Sequence, residues 1–350
     1  MIENEKIIKD PKDFKIFIGI LTKISINHYR KTGFINAINH IILKFKDQIQ
    51  QAFNNFEIFK LFKENKLIIL FLLKQNIIIF NEEIVNYIIQ TDPNGINYFY
   101  YFYPEMQEII KTSNKTNAKK EIKFEMNSQD LNHFEEKREK GENDSYITEL
   151  IRNDSIIEFI SYTTKANISL TKSRIKKSIF ETNSFLLNTS DEPYLIEYAA
   201  FFGSIQIIKY ITFNNAIIRP IIWLYAVHSN NAELIHFLED IHIDPPNNSY
   251  SIVLSEAIKC HHNNIATYIH ENLLNKNKPE NTDEYSIDNN YVINEIRYFN
   301  YQMYTNEFKE YDELYYLFKL NGKKIGESYI QMQSANNELM IPERKVYQNC

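Results

Sequence analysis

The stretch Tyr194–Ala216, YLIEYAAFFGSIQIIKYITFNNA, sets small residues, a polar turn and apolar triplets in an order that recurs twice downstream. Ala199 and Ala200 open the register, Gly203 closes a first helix, and Ile207, Ile208, Tyr210 and Ile211 form the apolar face of a second. The next copy holds Ala226, Asn230, Leu234, Ile235, Phe237 and Leu238, and a third holds Ala257, His261, Ile265, Tyr268 and Ile269. The alanines Ala199, Ala226 and Ala257 stand 27 and then 31 residues apart, a period that signals stacked helical repeats. One such unit cannot bury its apolar face alone, so copies must stack, and the ridge left along one side is ordinarily a binding surface.

Working outward, a degenerate earlier copy begins at Tyr146, with Ile156, Ile157, Phe159 and Ile160 as its second helix and no small-residue position in its first. Lys172–Asn188 reads as a further helix. Residues 14–112 form an apolar, helix-patterned N-terminal region that would cap the array; in it Asn81 is placed to cap the helix Glu82–Gln90. Asp92, Pro93, Asn94 and Gly95 end that helix. Residues 113–144, crowded with Lys, Glu, Asn and Ser, read as a charged spacer, the carboxylates of Glu135 and Glu136 lying on a solvated face. The repeats occupy 145–274, a polar linker 275–290, and a helical, partly disordered tail 291–350.

Composition agrees with an all-α array. The 350 residues include only 7 Gly and 9 Pro, too few for the many tight turns of a sheet-rich fold. A formal net charge of −6 gives no overall attraction to nucleic acid or to an anionic membrane surface. The most apolar run, Leu67–Phe80, is broken by Lys74, Gln75 and Asn76, short of the ~20 residues a spanning helix needs, so no membrane insertion is expected. Two distant cysteines, Cys260 and Cys350, and a charged start without an apolar signal region suit a reducing cytoplasm.

The segment Gly203–Ala216, GSIQIIKYITFNNA, resembles the second helix of an ankyrin repeat, with Asn215 standing for the usual Gly. Together with FNNFEIFKLFKENKLIILFLL, YFYPEM (Tyr101–Met106) and SIFETNSFLL (Ser178–Leu187), the chain is similar over roughly 15–275 to a large ankyrin-type family expanded in parasitic protists, a domain of unknown function. The turn Thr-Pro-Leu-His that fixes a standard first helix is replaced by PYLIE and PIIWL, and the shortfall from the ~33-residue period falls between units. The expectation is therefore a solenoid of stacked antiparallel helix pairs, ankyrin-like with shortened or absent β-hairpins.

The resemblance also implies a concave face. Its outward positions map onto Tyr198, Phe201 and Phe202, then Tyr225, His228 and Ser229, then Glu256, Lys259 and Cys260, which would contact a protein partner. The same aromatics could equally pack against the neighbouring helix pair, and the sequence leaves both readings open. Six of the 9 histidines fall between His228 and His270, yet no paired-Cys or HExxH spacing accompanies them, so no metal or other cofactor is expected. His261 and His262 are instead placed to hydrogen-bond between adjacent turns. No nucleophile elbow, phosphate loop or dinucleotide fingerprint is present, and Cys260 beside two histidines reads as a structural thiol. The function expected is non-enzymatic recognition of a protein; a degenerate or accessory enzyme subunit and a self-assembling structural protein are the alternatives.

Overall fold

The computed structural model describes residues 11–27, 33–92, 98–112, 128–189 and 191–274; the linker 275–290 and the tail 291–350 lie outside the described residues, as do Pro93–Gly95. Among the described residues the chain is all-α: seventeen α-helices and no strand, with one isolated backbone bridge between Arg174 and Tyr194. In chain order the helices are α1 (Pro11–Asn27), α2 (Phe34–Lys44), α3 (Lys46–Ala52), α4 (Asn55–Phe62), α5 (Lys66–Lys74), α6 (Glu82–Thr91), α7 (Tyr103–Thr112) and α8 (Ser128–Lys140). They continue with α9 (Tyr146–Arg152), α10 (Ile156–Lys165), α11 (Ser184–Asn188), α12 (Leu195–Phe202), α13 (Ile205–Phe213), α14 (Ile222–Ser229), α15 (Ala232–Asp240), α16 (Ser251–Lys259) and α17 (Asn263–Tyr268). The chain then widens into a π-helix over Ile269–Leu274. No helix among them is long and apolar enough to cross a membrane.

Two compact units result, one from the described parts of 1–28, 150–175 and 190–350, the other from those of 29–149 and 176–189. In the second unit, asparagines start α4, α5 and α6. The Asn54 carboxamide accepts from Glu57 N at 2.9 Å while Glu57 reaches back to Asn54 N at 2.8 Å, a complete capping box. Asn65 and Asn81 accept from Ile68 N (3.2 Å) and Ile84 N (3.0 Å) in the same way, Asn81 as its sequence position predicts. The unit's core is built from Phe59, Phe62, Ile68, Leu72, Ile84 and Ile88, with Phe102 and Met106.

Of the spacer expected at 113–144, residues 113–127 lie outside the described residues, and residues 133–144 are partly buried. Arg138 of α8 is 2% exposed, and its guanidinium forks onto both carboxylate oxygens of Glu105 at 2.8 Å while also donating to Glu135 at 2.6 Å. The Tyr101 hydroxyl returns a bond to the Arg138 carbonyl at 2.8 Å. Net charge along a sequence window cannot reveal this, because what buries the arginine is a partner carboxylate about thirty residues away. Lys172–Asn188 is likewise not one helix. Only Ser184–Asn188 is helical, the preceding backbone being held by polar ties such as Ser178 Oγ to Asp144 (2.8 Å) and Thr182 N to the Gly141 carbonyl (3.1 Å).

In the first unit, α12 packs on α14 and α14 on α16, each against its following helix as well, and α10 packs on α13. Helix ends obey one rule throughout. After the first helix of each pair a residue takes the left-handed conformation: Asp154 (φ 48°), Gly203 (φ 73°), Asn230 (φ 52°) and His261 (φ 56°). After the second helices Asn167 (φ 51°), Asn215 (φ 58°) and His242 (φ 55°) do the same. The paired closures of a Schellman motif accompany most of them, as in Gly203 N to Ala200 O (3.1 Å) and Ser204 N to Ala199 O (3.0 Å). Asn and Asp enter this region more readily than other side chains, which lets a glycine-poor chain close its helices.

Successive turns are also tied to one another. The Asp154 carboxylate accepts from Gln206 N and Ile207 N, both at 3.0 Å, capping α13, and Ser204 Oγ donates to the Ile151 carbonyl at 2.5 Å. Asn231 Nδ2 donates to the Gly203 carbonyl at 3.3 Å, and His262 Nδ1 to the Val227 carbonyl at 2.6 Å. His262 thus makes the bond between turns that its sequence position suggests.

Candidate functional site

The face that the sequence singles out lies on α12, α14 and α16. Helix α12 starts where Glu197 reaches back to accept from Tyr194 N at 2.8 Å, replacing the missing Thr-Pro turn. Helix α16 follows Ser249, whose hydroxyl accepts from Ser251 N at 3.3 Å. Ala199, Ala226 and Ala257 are fully buried, and their small side chains let the three helices approach closely.

Close approach decides where the nine candidate residues end up. Tyr198, Phe201, Tyr225, Glu256 and Cys260 are buried, while Phe202, His228, Ser229 and Lys259 are half-buried. Of the two readings the sequence leaves open, packing against neighbouring helices describes the buried Tyr198, Phe201 and Tyr225, and Glu256 and Cys260 are buried as well. Tyr198 lies against Phe202 with ring centroids 4.8 Å apart and takes a hydrogen bond from Arg152 Nη1 at 3.2 Å. Phe201 touches both Phe202 (5.1 Å) and the His228 ring (5.0 Å). Ser229 is used by its own turn, donating to the Ala226 carbonyl at 2.6 Å and accepting from Asn231 N at 3.1 Å.

The structure brings four of the nine together, His228, Glu256, Lys259 and Cys260, from two successive first helices. His228 Nε2 is 2.8 Å from Glu256 Oε1, and Cys260 Sγ is 3.4 Å from His228 Nδ1 and 3.8 Å from Nε2. One ligand atom from each residue lies within 4.8 Å of the other two. Lys259 Nζ approaches the same Glu256 oxygen at 3.4 Å. Burial penalises the Glu256 charge, but the Lys259 ammonium and the His228 hydrogen bond outweigh it and hold the carboxyl down at about 2. The site is thus an anionic carboxylate flanked by an imidazole, an ammonium and a thiol. Cys260 meets a histidine, though it is His228 of the preceding pair rather than the adjacent His261 or His262.

Sequence reasoning missed a second polar group, built around Glu197 of α12. Arg219 Nε and Nη2 donate to the two oxygens of Glu197 at 2.7 and 2.8 Å, and the guanidinium lies 4.8 Å from the centroid of Tyr194, over which Arg174 also sits at 4.2 Å. The signal available was Glu197 itself, an acidic residue in the middle of an apolar helix pattern, which must have a cation to be buried. Compared with family models, with curated proteins and with solved structures, the chain matches none.

Proposed function

We propose that the chain is a non-enzymatic recognition protein whose helix pairs from α9 to α17 form an ankyrin-like solenoid that holds a protein partner. The reading rests on the repeated left-handed turns, on helix pairs in sequence contact with the next, and on the resemblance of Gly203–Ala216 to an ankyrin second helix. A rigid stack loses little conformational freedom on binding, which favours affinity.

One observation carries the reading of recognition. Phe213, the last residue of α13, is 86% exposed, and Ile217, on the connection that follows, is 77% exposed. Two large apolar side chains four residues apart at one helix end exceed what scattered surface residues require, and connections between repeats are where such proteins vary their contacts. The partner surface accordingly centres on the end of α13 and the connection after it, with Phe202, His228, Ser229 and Lys259 the members of the predicted face that retain exposure.

The test is a crosslinked pulldown using the full chain, run beside Phe213→Ser with Ile217→Ser and, separately, Phe202→Ala with Lys259→Ala. The expected result is a protein retained by wild type and lost from the first variant while its circular dichroism is unchanged. Equal retention by wild type and both variants would remove the proposal. A wild-type size that grows with concentration in light scattering, and stays constant in the first variant, would reassign the connection to self-assembly.

A further inference from the structure

We propose that His228, Glu256 and Cys260 bind a divalent transition-metal ion of the zinc type. Nothing in the recognition reading requires this site, and the two stand or fall separately. The donor set is one imidazole nitrogen, one carboxylate oxygen and one thiolate sulfur. Hard cations such as magnesium and calcium take oxygen ligands, whereas a mixed sulfur, nitrogen and oxygen set suits zinc and its softer neighbours. Three protein ligands also leave a fourth tetrahedral position, which water fills.

The donor atoms are within reach of one ion, all lying within 4.8 Å of one another. Zinc bonds of about 2.0–2.1 Å to nitrogen, 2.0–2.2 Å to carboxylate oxygen and 2.3 Å to sulfur place tetrahedral ligand atoms roughly 3.3–3.6 Å apart. Cys260 Sγ stands 3.8 Å from His228 Nε2 and 3.4 Å from Nδ1, so the imidazole and the thiol must turn to bring the sulfur to the Nε2 side. Nε2 and Glu256 Oε1, at 2.8 Å, need only open by about half an ångström, within the play of a glutamate side chain. The ring of Phe201 lies 5.0 Å from the imidazole, tilted by 31°, and so restricts its orientation and shields the site from water. Binding would release the Cys260 thiol proton to solvent, require the proton that Nε2 donates to Glu256 to leave Nε2, with Nδ1 carrying the imidazole proton instead, and replace the His228 to Glu256 hydrogen bond by two metal bonds.

Lys259 sets the competition. Its ammonium occupies the carboxylate at 3.4 Å and must withdraw when a cation arrives; its side chain is 24% exposed and long enough to turn into water. Without metal, Glu256 is held by Lys259 and His228, so the grouping is stable either way.

The experiment is titration of the full chain with cobalt(II), which reports thiolate ligation by a sulfur-to-cobalt charge-transfer band and tetrahedral geometry by its visible spectrum. We expect one cobalt per chain, displaced by zinc. Cys260→Ser abolishes the band, His228→Gln and Glu256→Gln weaken binding about tenfold or more, and Lys259→Met tightens it severalfold. Cys350→Ser retains the band. Circular dichroism checks each fold, and His228→Gln carries the test if Cys260→Ser does not fold. Absence of the band from wild type, its persistence in Cys260→Ser, its loss in Cys350→Ser, or unchanged affinity in His228→Gln overturns the proposal.

Discussion

Arg219 reaches from the connection before α14 to clasp the fully buried carboxylate of Glu197 in α12, with two parallel bonds of 2.7 and 2.8 Å. The two partners are unequal: the Arg219 side chain keeps 28% of its exposure, the Glu197 side chain 1%. Removing the cation therefore strands the anion. Arg219→Ala should lower unfolding free energy by about 3–5 kcal/mol, since an uncompensated buried charge remains. Adding Glu197→Gln should recover a substantial part. Urea denaturation of the single and double variants checks this, and a loss below about 1 kcal/mol in Arg219→Ala would show that water reaches the carboxylate.

Lys66 gives a pH dependence. Burial pushes its ammonium down to about 7, against the pull of Glu181 and Asp92, although it donates to the Ile179 carbonyl at 3.1 Å and lies 4.8 Å from the Tyr101 ring centroid. The folded value lies below the unfolded one of 10.5, so between pH 7 and pH 10.5 the unfolded chain binds more protons and stability rises with pH. Below pH 7 both states are protonated and this contribution is flat. In Lys66→Met the rise attributable to this group disappears, a difference on the order of several kcal/mol across the window. Denaturation curves of both chains from pH 6 to about 9.5 measure it; parallel profiles would mean that the ammonium is hydrated.

Arg138 should not tolerate lysine. Glu105 and Glu135 offset the desolvation of its guanidinium and hold it charged. A single ammonium cannot reproduce the two-pronged bond to Glu105 together with those to Glu135 and the Tyr101 carbonyl. Arg138→Lys is expected to cost about 2–4 kcal/mol, close to Arg138→Met. Thermal melts within a degree of wild type for the lysine variant would contradict this.

Gly141 allows α8 to end against Thr182. Its φ is +67°, and a Cβ there would stand 2.8 Å from Thr182 Oγ1 and 3.1 Å from Leu67. Thr182 cannot simply turn aside, because Oγ1 donates to the Gly141 carbonyl at 2.7 Å. Gly141→Ala should cost roughly 2–3 kcal/mol, combining backbone strain with a lost hydrogen bond. Recovery of full stability in Gly141→Ala combined with Thr182→Ser would indicate that the methyl, not the hydroxyl, sets the cost.

The helices and turns of residues 194–274 were legible because they rest on local requirements: alanine where helices touch, a left-handed residue at the turns, aliphatics on one face. Ala199, Ala226 and Ala257 declare all of that. Surface assignment was less legible. The outward positions of an ankyrin-like helix predict exposure only when side chains are modest, and in Tyr198, Phe201 and Tyr225 the bulk itself closes the groove. The meeting of His228 with Glu256 and Cys260 was readable only by overlaying equivalent positions of adjacent copies, since no local spacing joins residues 28 and 32 apart. Lys172–Asn188 failed for the opposite reason. Its helical pattern is sound locally, but contacts to Gly141 and Asp144, distant in sequence, hold the backbone in turns and irregular loop.

The asparagine, aspartate and histidine residues that close these helices also act where no structure is seen. Glycine would fit every such turn with less strain, yet each glycine adds backbone conformations that the denatured ensemble must surrender on folding. By using Asn167, Asn215, Asn230, His242 and His261 instead, the chain accepts a small strain at each turn and enters folding from a narrower ensemble. The scarcity of glycine is thus a property of the denatured state as much as of the native one, and exchanging these five residues for glycine would relax the turns while widening the ensemble opposite them.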